Sequence, residues 1–526
     1  MKIRTTLPAK FRDTLAAVSL STALLTATSP ALADGHDKDQ GPKLDNELRR
    51  IGHIIVIYQE NWSFDSLYGQ FPGADGLQNA FDTLPQKDKS TNYTSLIYTT
   101  PSPLNGGVDP QFPAIGENLA LSASQPFPLP LIPYDFTNYI AANVKTGDIV
   151  HRFYHEQLQI DNGLLEQRNG ALDKFVTWSD NPGLVLSYLD ATQLPEGKLA
   201  QEFTLCDQFF HSAYGGSFLN HQWLIAAQTP PWTAPIPAGW PSSYDPVTKA
   251  LKDNQLTFDG KYAVNTIQPL LAPFFPGTTT AKRLLINNTD PNQPGYTPNI
   301  GNRLDDAGIN WRWYSGGWND ALANNSAANG KLFQFHHQPF AYYTKYAPFL
   351  AAPTADYSVS TPPQLNPATT GPKAHLQDET AFLADVASGN LPPVSFVKPI
   401  GANNEHPGYA DEVTGQQHVA DLVSAVRNSR IWKDSVIIIT YDENGGRWDH
   451  VVPPVRPDKW GVGVRVPSII ISPFVRKGAI DGHEYETVSI LKLIERRYHL
   501  APLSERDANP AISDLTTTFD FANERD

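Results

Sequence analysis

His53-Ile54-Ile55-Val56-Ile57-Tyr58 and Ser435-Val436-Ile437-Ile438-Ile439-Thr440 are continuous β-branched runs, and they decide the fold. A strand with one wet face alternates apolar and polar residues. These runs are apolar at nearly every position, the pattern of strands buried on both faces of a parallel sheet. Val394-Ser395-Phe396-Val397 and Val466 to Ser472 read as further strands, and Phe203-Thr204-Leu205-Cys206 as another buried one. Between them, Gln416 to Arg427 is an amphipathic helix, Thr487 to Tyr498 a closing helix, and residues 148–160 and 195–202 are helix-like. Strands separated by helices imply right-handed crossovers. The predicted class is α/β: a mostly parallel central sheet with helices on both faces and long loop insertions.

Both deciding strands run into acid and amide. Tyr58 is followed by Gln59-Glu60-Asn61, and Tyr441 by Asp442-Glu443-Asn444-Gly445-Gly446. In open α/β sheets ligands bind outside the carboxyl ends of the strands. If the two strands are neighbours, three carboxylates and an amide oxygen meet at one rim. Their repulsion raises their pKa values unless a cation neutralises them. Hard oxygen donors suit Mg²⁺, Ca²⁺ or Mn²⁺; histidine alongside extends the choice to Zn²⁺ or Fe. Taken singly, each motif reads equally well as an acidic cap on a following helix. The pair favours a cation site.

A second constellation is Gly215-Gly216-Ser217-Phe218-Leu219-Asn220-His221. Small residues before a serine allow a tight turn and close backbone approach to a substrate. A serine hydroxyl on a metal ion is acidified and becomes a nucleophile without a histidine base. Asn220 is a candidate donor to a phosphoryl oxygen, although Gly-Gly-Ser alone is an ordinary turn. Among the 14 histidines, His336 and His337 are adjacent, and His151, His406 and His450 stand in polar, Gly- and Pro-rich contexts. A single histidine is more often structural than functional. Protonated, these residues would bind a phosphate and protonate a leaving oxygen, and their ordinary pKa of about 6.5 favours mildly acidic conditions. Lys398, at the end of the Val394 strand, is a further substrate-binding candidate.

Composition narrows the class. Apolar residues make up 40% and aromatics 11%, a globular content, while 45 prolines and 36 glycines indicate many loops. Lys2, Arg4, Lys10 and Arg12, the apolar stretch Leu15 to Thr28 and Ala31-Leu32-Ala33 form the pattern of a secretory signal peptide over residues 1–33. The stretch is too short and too polar for a membrane anchor, which needs about 20 apolar residues. The expectation is an exported protein, periplasmic or extracellular, with one catalytic domain over residues 34–526. Insertions are expected at about 84–135, 228–300 and 350–372. Removing residues 1–33 takes away four basic residues and one acid, which moves the formal charge from −14 to −17. Such a surface repels nucleic acid and anionic membranes. Cys206 is the only cysteine, so no intramolecular disulfide forms, and its apolar context reads as core. Oligomeric state has no signal here.

These motifs resemble those of the bacterial phosphoesterase family, which contains non-specific phospholipases C and AcpA-type acid phosphatases. Gln59-Glu60-Asn61-x-Ser63-Phe64-Asp65 with Tyr68-Gly69 resembles its ENxSFD signature. Tyr441-Asp442-Glu443-Asn444-Gly445-Gly446-x-x-Asp449-His450-Val451-x-Pro453-Pro454 resembles the second signature, and Arg465-Val466-Pro467 with Ile471-Ser472-Pro473 the third. Gly215 to Gln222, the His336-His337 pair and Glu405-His406-Pro407-Gly408-Tyr409 are similar to the phosphatase branch. The resemblance implies an alkaline-phosphatase-superfamily-like fold. It implies Ser217 as nucleophile and one divalent metal ion held by Glu60, Asn61, Ser217, Asp442 and Glu443. His151, His336, His337 and His406 would line the phosphate pocket, with His155 the alternative to His151. Trp62 stands where many members carry Arg, which puts leaving-group preference in question.

Three readings compete: a secreted acid phosphatase acting on small phosphate monoesters through a phosphoserine intermediate; a phospholipase C cleaving phospholipid diesters; and a non-catalytic exported binding protein. None involves nucleic acid or stable membrane insertion.

Overall fold

Eight strands make the central sheet: β1 (His53–Gln59), β2 (Thr204–Cys206), β3 (Trp311–Ser315), β4 (Leu376–Asp378), β5 (Val394–Lys398), β6 (Ser435–Tyr441), β7 (Ser468–Ile471) and β8 (Ala479–Asp481). They belong to a computed structural model that describes residues 40–82, 86, 132–160, 172–176, 178–179, 181, 183–233, 256–257, 259–265, 285–323, 332–348 and 365–522. The expected leader lies outside the described residues, as do most of the three expected insertions. Residues 45–526 form one compact unit; of residues 1–44, which cluster separately, only 40–44 are described, in the helix Gln40–Leu48.

The strand order is β8-β2-β7-β6-β1-β5-β3-β4. Every neighbouring pair is parallel except those of β7, which runs antiparallel to both β6 and β2. β7 is also shorter than the expected Val466–Ser472. Pro467 has no N–H for a ladder, and its carbonyl accepts the Thr440 hydroxyl at 2.9 Å. The two deciding runs are neighbours, aligned from His53–Ser435 to Gln59–Tyr441, and β5 flanks β1 on its other side.

From Ile54 onward β1 is buried at every position, and so are β5, β6 and β7. Successive side chains point to opposite faces, so both faces are covered. The register shows by what. The Tyr58 hydroxyl donates to the Asn220 carbonyl at 3.3 Å, in the helix Ser217–Ala226. Tyr441, aligned with Gln59 one position on, points the other way and meets Glu196 in the helix Pro195–Glu202 at 3.2 Å. We number five flanking helices: α1 (Pro195–Glu202), α2 (Ser217–Ala226), α3 (Glu379–Ser388), α4 (Glu412–Arg427) and α5 (Thr487–Tyr498). α4 packs against α1 and α3 behind the sheet, and α5 packs against α2 in front.

Local chemistry sets the helix ends. Pro195 occupies the first turn of α1, where its missing N–H costs nothing. Asp411 caps α4, its carboxylate accepting from Thr414 N at 3.0 Å, so the helix begins four residues before the expected Gln416. The helix expected at 148–160 is confined to Phe153–Gln159, because Arg152 before it is extended and offers no capping side chain. Cys206 is fully buried in β2, and burial pushes its thiol well above the ordinary range, so it is core. Among the described residues no helix is long and apolar enough to cross a membrane.

Candidate active site

The flush ends of β1 and β6 place Glu60 beside Asp442, both just beyond the sheet. Glu60 N donates to the Asn404 carbonyl at 2.9 Å, and Asp442 N to the Gln59 carbonyl at 3.0 Å. Ser217 faces them from the first position of α2, all ten residues of which are buried. Its hydroxyl donates to Glu443 Oε1 at 2.8 Å. A helix N-terminus carries partial positive charge and unpaired N–H groups, which favours an anion at that spot.

Two constraints shape the turn that presents Ser217. Gly215 has φ +94°, and a Cβ there would lie 2.4 Å from Phe153 N. Its N–H donates to Glu156 Oε2 at 2.6 Å, and Glu156 Oε1 lies 2.8 Å from His211 Nε2. Both partners are buried, so the turn hangs on a polar anchor under the sheet edge.

The acidic rim is electrostatically strained. Burial, then the neighbouring Glu60, pushes the Asp442 carboxyl up to about 7. Burial, then Asp442, pushes Glu443 well above its ordinary value. Glu60 goes the other way: burial opposes its charge, but Lys398 and then His337 outweigh it and hold it well below the usual range. Lys398 Nζ and His337 Nε2 each lie 2.7 Å from Glu60 Oε1, and the Tyr409 hydroxyl donates to Oε2 at 3.0 Å.

Three buried oxygens, Asn61 Oδ1, Asp442 Oδ2 and Glu443 Oε2, have no hydrogen-bond partner among the described residues. An unpartnered buried oxygen is costly, and three together on raised carboxyls and an amide fit a cation. These residues and Ser217 make a donor set of hard oxygens. Glu60 Oε1 likewise has no hydrogen-bond partner among the described residues, although Lys398 and His337 each lie 2.7 Å from it, and Glu60 falls with His221 and Asp442 in one group able to hold a metal ion.

The histidines fall into two groups. His221, His336 and His337 form a buried cluster, with His221 stacked on His337 at 5.8 Å between ring centroids. Burial pushes all three below the ordinary imidazole value, His337 to about 4. Glu60 works against this at His337, whose Nε2 lies 2.7 Å from Glu60 Oε1. His151 and His406 sit 5.7 Å apart by ring centroids. His151 Nε2 accepts from Asn61 Nδ2 at 3.2 Å and lies 3.6 Å from Glu443 Oε1. These contacts set His151 against the carboxylate rim. His406 Nε2 is 3.9 Å from Glu60 Oε2, and its ring stacks on Tyr409 at 4.1 Å.

The three substrate-binding candidates each contact other protein groups. Lys398 is fully buried, and its ammonium lies 2.7 Å from Glu60 Oε1. Asn220 is fully buried too; its amide donates to the Gly215 carbonyl at 3.0 Å and accepts from Ala213 N at 3.2 Å, so it braces the nucleophile turn. His450 Nδ1 lies 2.7 Å from Asp65, beside the buried Arg465, which pairs with Asp65 at 3.0 Å and Asp449 at 2.9 Å. That network ties the first motif to the second and third. Trp62 is fully buried under the Arg447 guanidinium, 3.7 Å from its ring centroid.

His221 escaped the sequence reading. Its Nδ1 lies 2.7 Å from the Ser217 carbonyl and 3.7 Å from Asp442 Oδ2. The available signal was its spacing: four residues after Ser217, on the same helix face.

Comparison with known proteins agrees with this geometry. The profile of the Phosphoesterase family matches residues 51–501. The chain is 24% identical over 542 residues to a phospholipase C B of Mycobacterium tuberculosis, covering 96% of this chain and 84% of that one. It is 22% identical over 545 residues to a non-hemolytic phospholipase C of Pseudomonas aeruginosa, covering 97% and 63%. A shorter match, 34% over 178 residues, is to a non-specific phospholipase C6 of Arabidopsis thaliana, covering 27% and 34%. Among solved structures, an alkaline phosphatase superfamily protein of Vibrio parahaemolyticus overlaps 61% of this chain and 63% of its own at 12% identity and a TM-score of 0.27, too shallow an overlap to add to the strand order. The chain belongs to the Phosphoesterase family and is a hydrolase acting on phosphate esters.

Proposed function

We propose that the protein is an exported, metal-dependent acid phosphatase that hydrolyses phosphate monoesters through a phosphoserine on Ser217. The observation that carries this is the Ser217 hydroxyl, 2.8 Å from Glu443 at the N-terminus of a buried helix, facing three unpartnered oxygens. Ser217 Oγ attacks phosphorus as the ester P–O bond breaks, and its proton passes to Glu443. His151 and His406 bind the phosphoryl oxygens and protonate the leaving oxygen. An incoming phosphate dianion would also favour the charged form of His336 and His337. Water then cleaves the Ser217–phosphate bond with the same groups in reverse. Asn61, Asp442, Glu443 and Ser217, with Glu60 alongside, would hold one divalent ion. That ion supplies Lewis-acid stabilisation of the charge gathered on the serine and phosphoryl oxygens. The oxygen donors favour Mg²⁺, Ca²⁺ or Mn²⁺, and the neighbouring imidazoles keep Zn²⁺ and Fe in range. Export rests on the basic, apolar and small-residue pattern of residues 1–33.

A second reading, phospholipase C, is favoured by the names of the relatives. The two are separated by comparing hydrolysis of an aryl phosphate with that of a phosphatidylcholine dispersion, using metal-stripped and metal-restored protein. Faster turnover of the aryl monoester supports the phosphatase; a strong preference for the lipid overturns it.

A further inference from the structure

Glu405 stands next to the site, and no step above uses it. It is fully buried and not glycine, yet its backbone φ is +70°. Non-glycine residues avoid this region, and those held in it cluster at functional sites.

Three hydrogen bonds hold the residue there. Gln59 Nε2 donates to its Oε1 at 2.8 Å, the Tyr441 hydroxyl to its Oε2 at 2.7 Å, and the Trp62 indole N–H to its carbonyl at 3.0 Å. Gln59 and Tyr441 are register partners on β1 and β6. By strand alternation they point behind the sheet, while Glu60 and Asp442, one residue on, point into the site. The Glu405 carboxylate therefore bridges, from behind, the same two strands whose ends carry the acidic rim. The fit is close: a Cβ on Gly415 of α4 would lie 2.2 Å from Glu405 Cγ. Tyr441 has one hydroxyl hydrogen. Its oxygen lies 2.7 Å from Glu405 Oε2 and 3.2 Å from Glu196 Oε2, so the shorter contact is the one to Glu405.

The left-handed turn then takes the chain over the strand ends to the front. His406 N donates to Asn404 Oδ1 at 3.1 Å, and the Asn404 carbonyl accepts from Glu60 N. The His406 ring emerges against Tyr409 and Glu60. We propose that Glu405 is a positioning residue: its clamp on Gln59 and Tyr441 sets the turn that aims His406 at the phosphoryl group. This rests on the phosphoesterase reading of the Ser217 site.

A double-mutant cycle on the full-length, metal-restored protein tests it, read as kcat and KM for p-nitrophenyl phosphate. His406→Ala and Glu405→Ala should each lower kcat/KM by on the order of a hundredfold, the scale of a catalytic group displaced by about 1 Å. If Glu405 acts through His406, the double variant should be no worse than His406→Ala, and Glu405→Gln, which keeps an acceptor for Gln59, should recover most of the loss. Losses that multiply in the double variant, or wild-type kinetics in Glu405→Ala, overturn the proposal. Gly415→Ala presses on the same side chain from α4 and carries the same cycle should Glu405→Ala fail to fold. A wild-type protein inert on this monoester would overturn the phosphatase reading and not the clamp, which the same cycle on a phosphatidylcholine dispersion then tests.

Discussion

The Ser217 hydroxyl donates to the Glu443 carboxylate at 2.8 Å from the first turn of a fully buried helix. Alanine at 217 removes the hydroxyl and little else, since alanine is the strongest helix former. Turnover of an aryl phosphate should fall by about a thousandfold or more, as it does when a covalent nucleophile is removed. The thermal midpoint should stay within a few degrees. Undiminished turnover in Ser217→Ala would place the nucleophile elsewhere.

The crowded carboxyls predict a pH-dependent response to metal removal. In the folded, metal-stripped protein Asp442 titrates near about 7, against an unfolded value near about 4. A raised carboxyl binds a proton in the folded state that the unfolded state has released. Its contribution to stability is therefore complete below pH 4 and is lost as pH rises through 7. Glu443 adds in the same direction. Chelator-treated protein should melt lower at pH 8 than at pH 5, by several degrees. Restoring the divalent ion should raise the midpoint most at the higher pH, because bound ligand stabilises only the folded state. Melting curves at the two pH values, with and without ion, check this; an apo protein that melts higher at pH 8 contradicts it.

The sheet was legible because β1 and β6 are apolar on both faces, a pattern few other environments produce. That their ends meet was an assumption until the register placed Gln59 opposite Tyr441. The acidic rim and Ser217 followed from local motifs. The contact of Lys398 with Glu60 was not legible, because the two lie on neighbouring strands far apart in sequence. The contacts of Asn220 and His450 were hidden for the same reason: their partners lie in other turns and motifs. The antiparallel direction of β7 has no signature in a four-residue strand, and Glu405 acquires meaning only from residues on two other strands.

Lys398 and Glu60 make a testable buried pair, both with side chains wholly removed from solvent. Lys398→Met leaves the carboxylate with His337, Tyr409 and the more distant His406, and should cost about 3–5 kcal/mol of stability, the usual penalty for stranding one buried charge. Adding Glu60→Gln removes the stranded charge and should restore part of that loss. Urea unfolding of the two variants measures both terms. Lys398 also helps depress His337, after burial, so the His337 imidazole should titrate higher in Lys398→Met, which histidine NMR can follow.

Gly215 is the position where the nucleophile turn is least tolerant. Its φ of +94° is strained for any side chain, and an added Cβ would sit 2.4 Å from Phe153 N, a backbone atom that cannot swing aside. Gly215→Ala must therefore shift either the helix Phe153–Gln159 or the turn itself. Moving the turn pulls the Gly215 N–H from Glu156 and carries Ser217 away from Glu443. The expected cost is about 1–3 kcal/mol of stability, the usual range for a residue forced into such a conformation. The loss of kcat should be larger than that cost alone suggests, on the order of a hundredfold, because a displacement of about 1 Å is enough to spoil in-line attack. Glu156→Gln isolates the anchor from the strain. It keeps an acceptor for the Gly215 N–H and should lower kcat much less. If Gly215→Ala keeps wild-type kcat while losing stability, the turn does not set the position of Ser217.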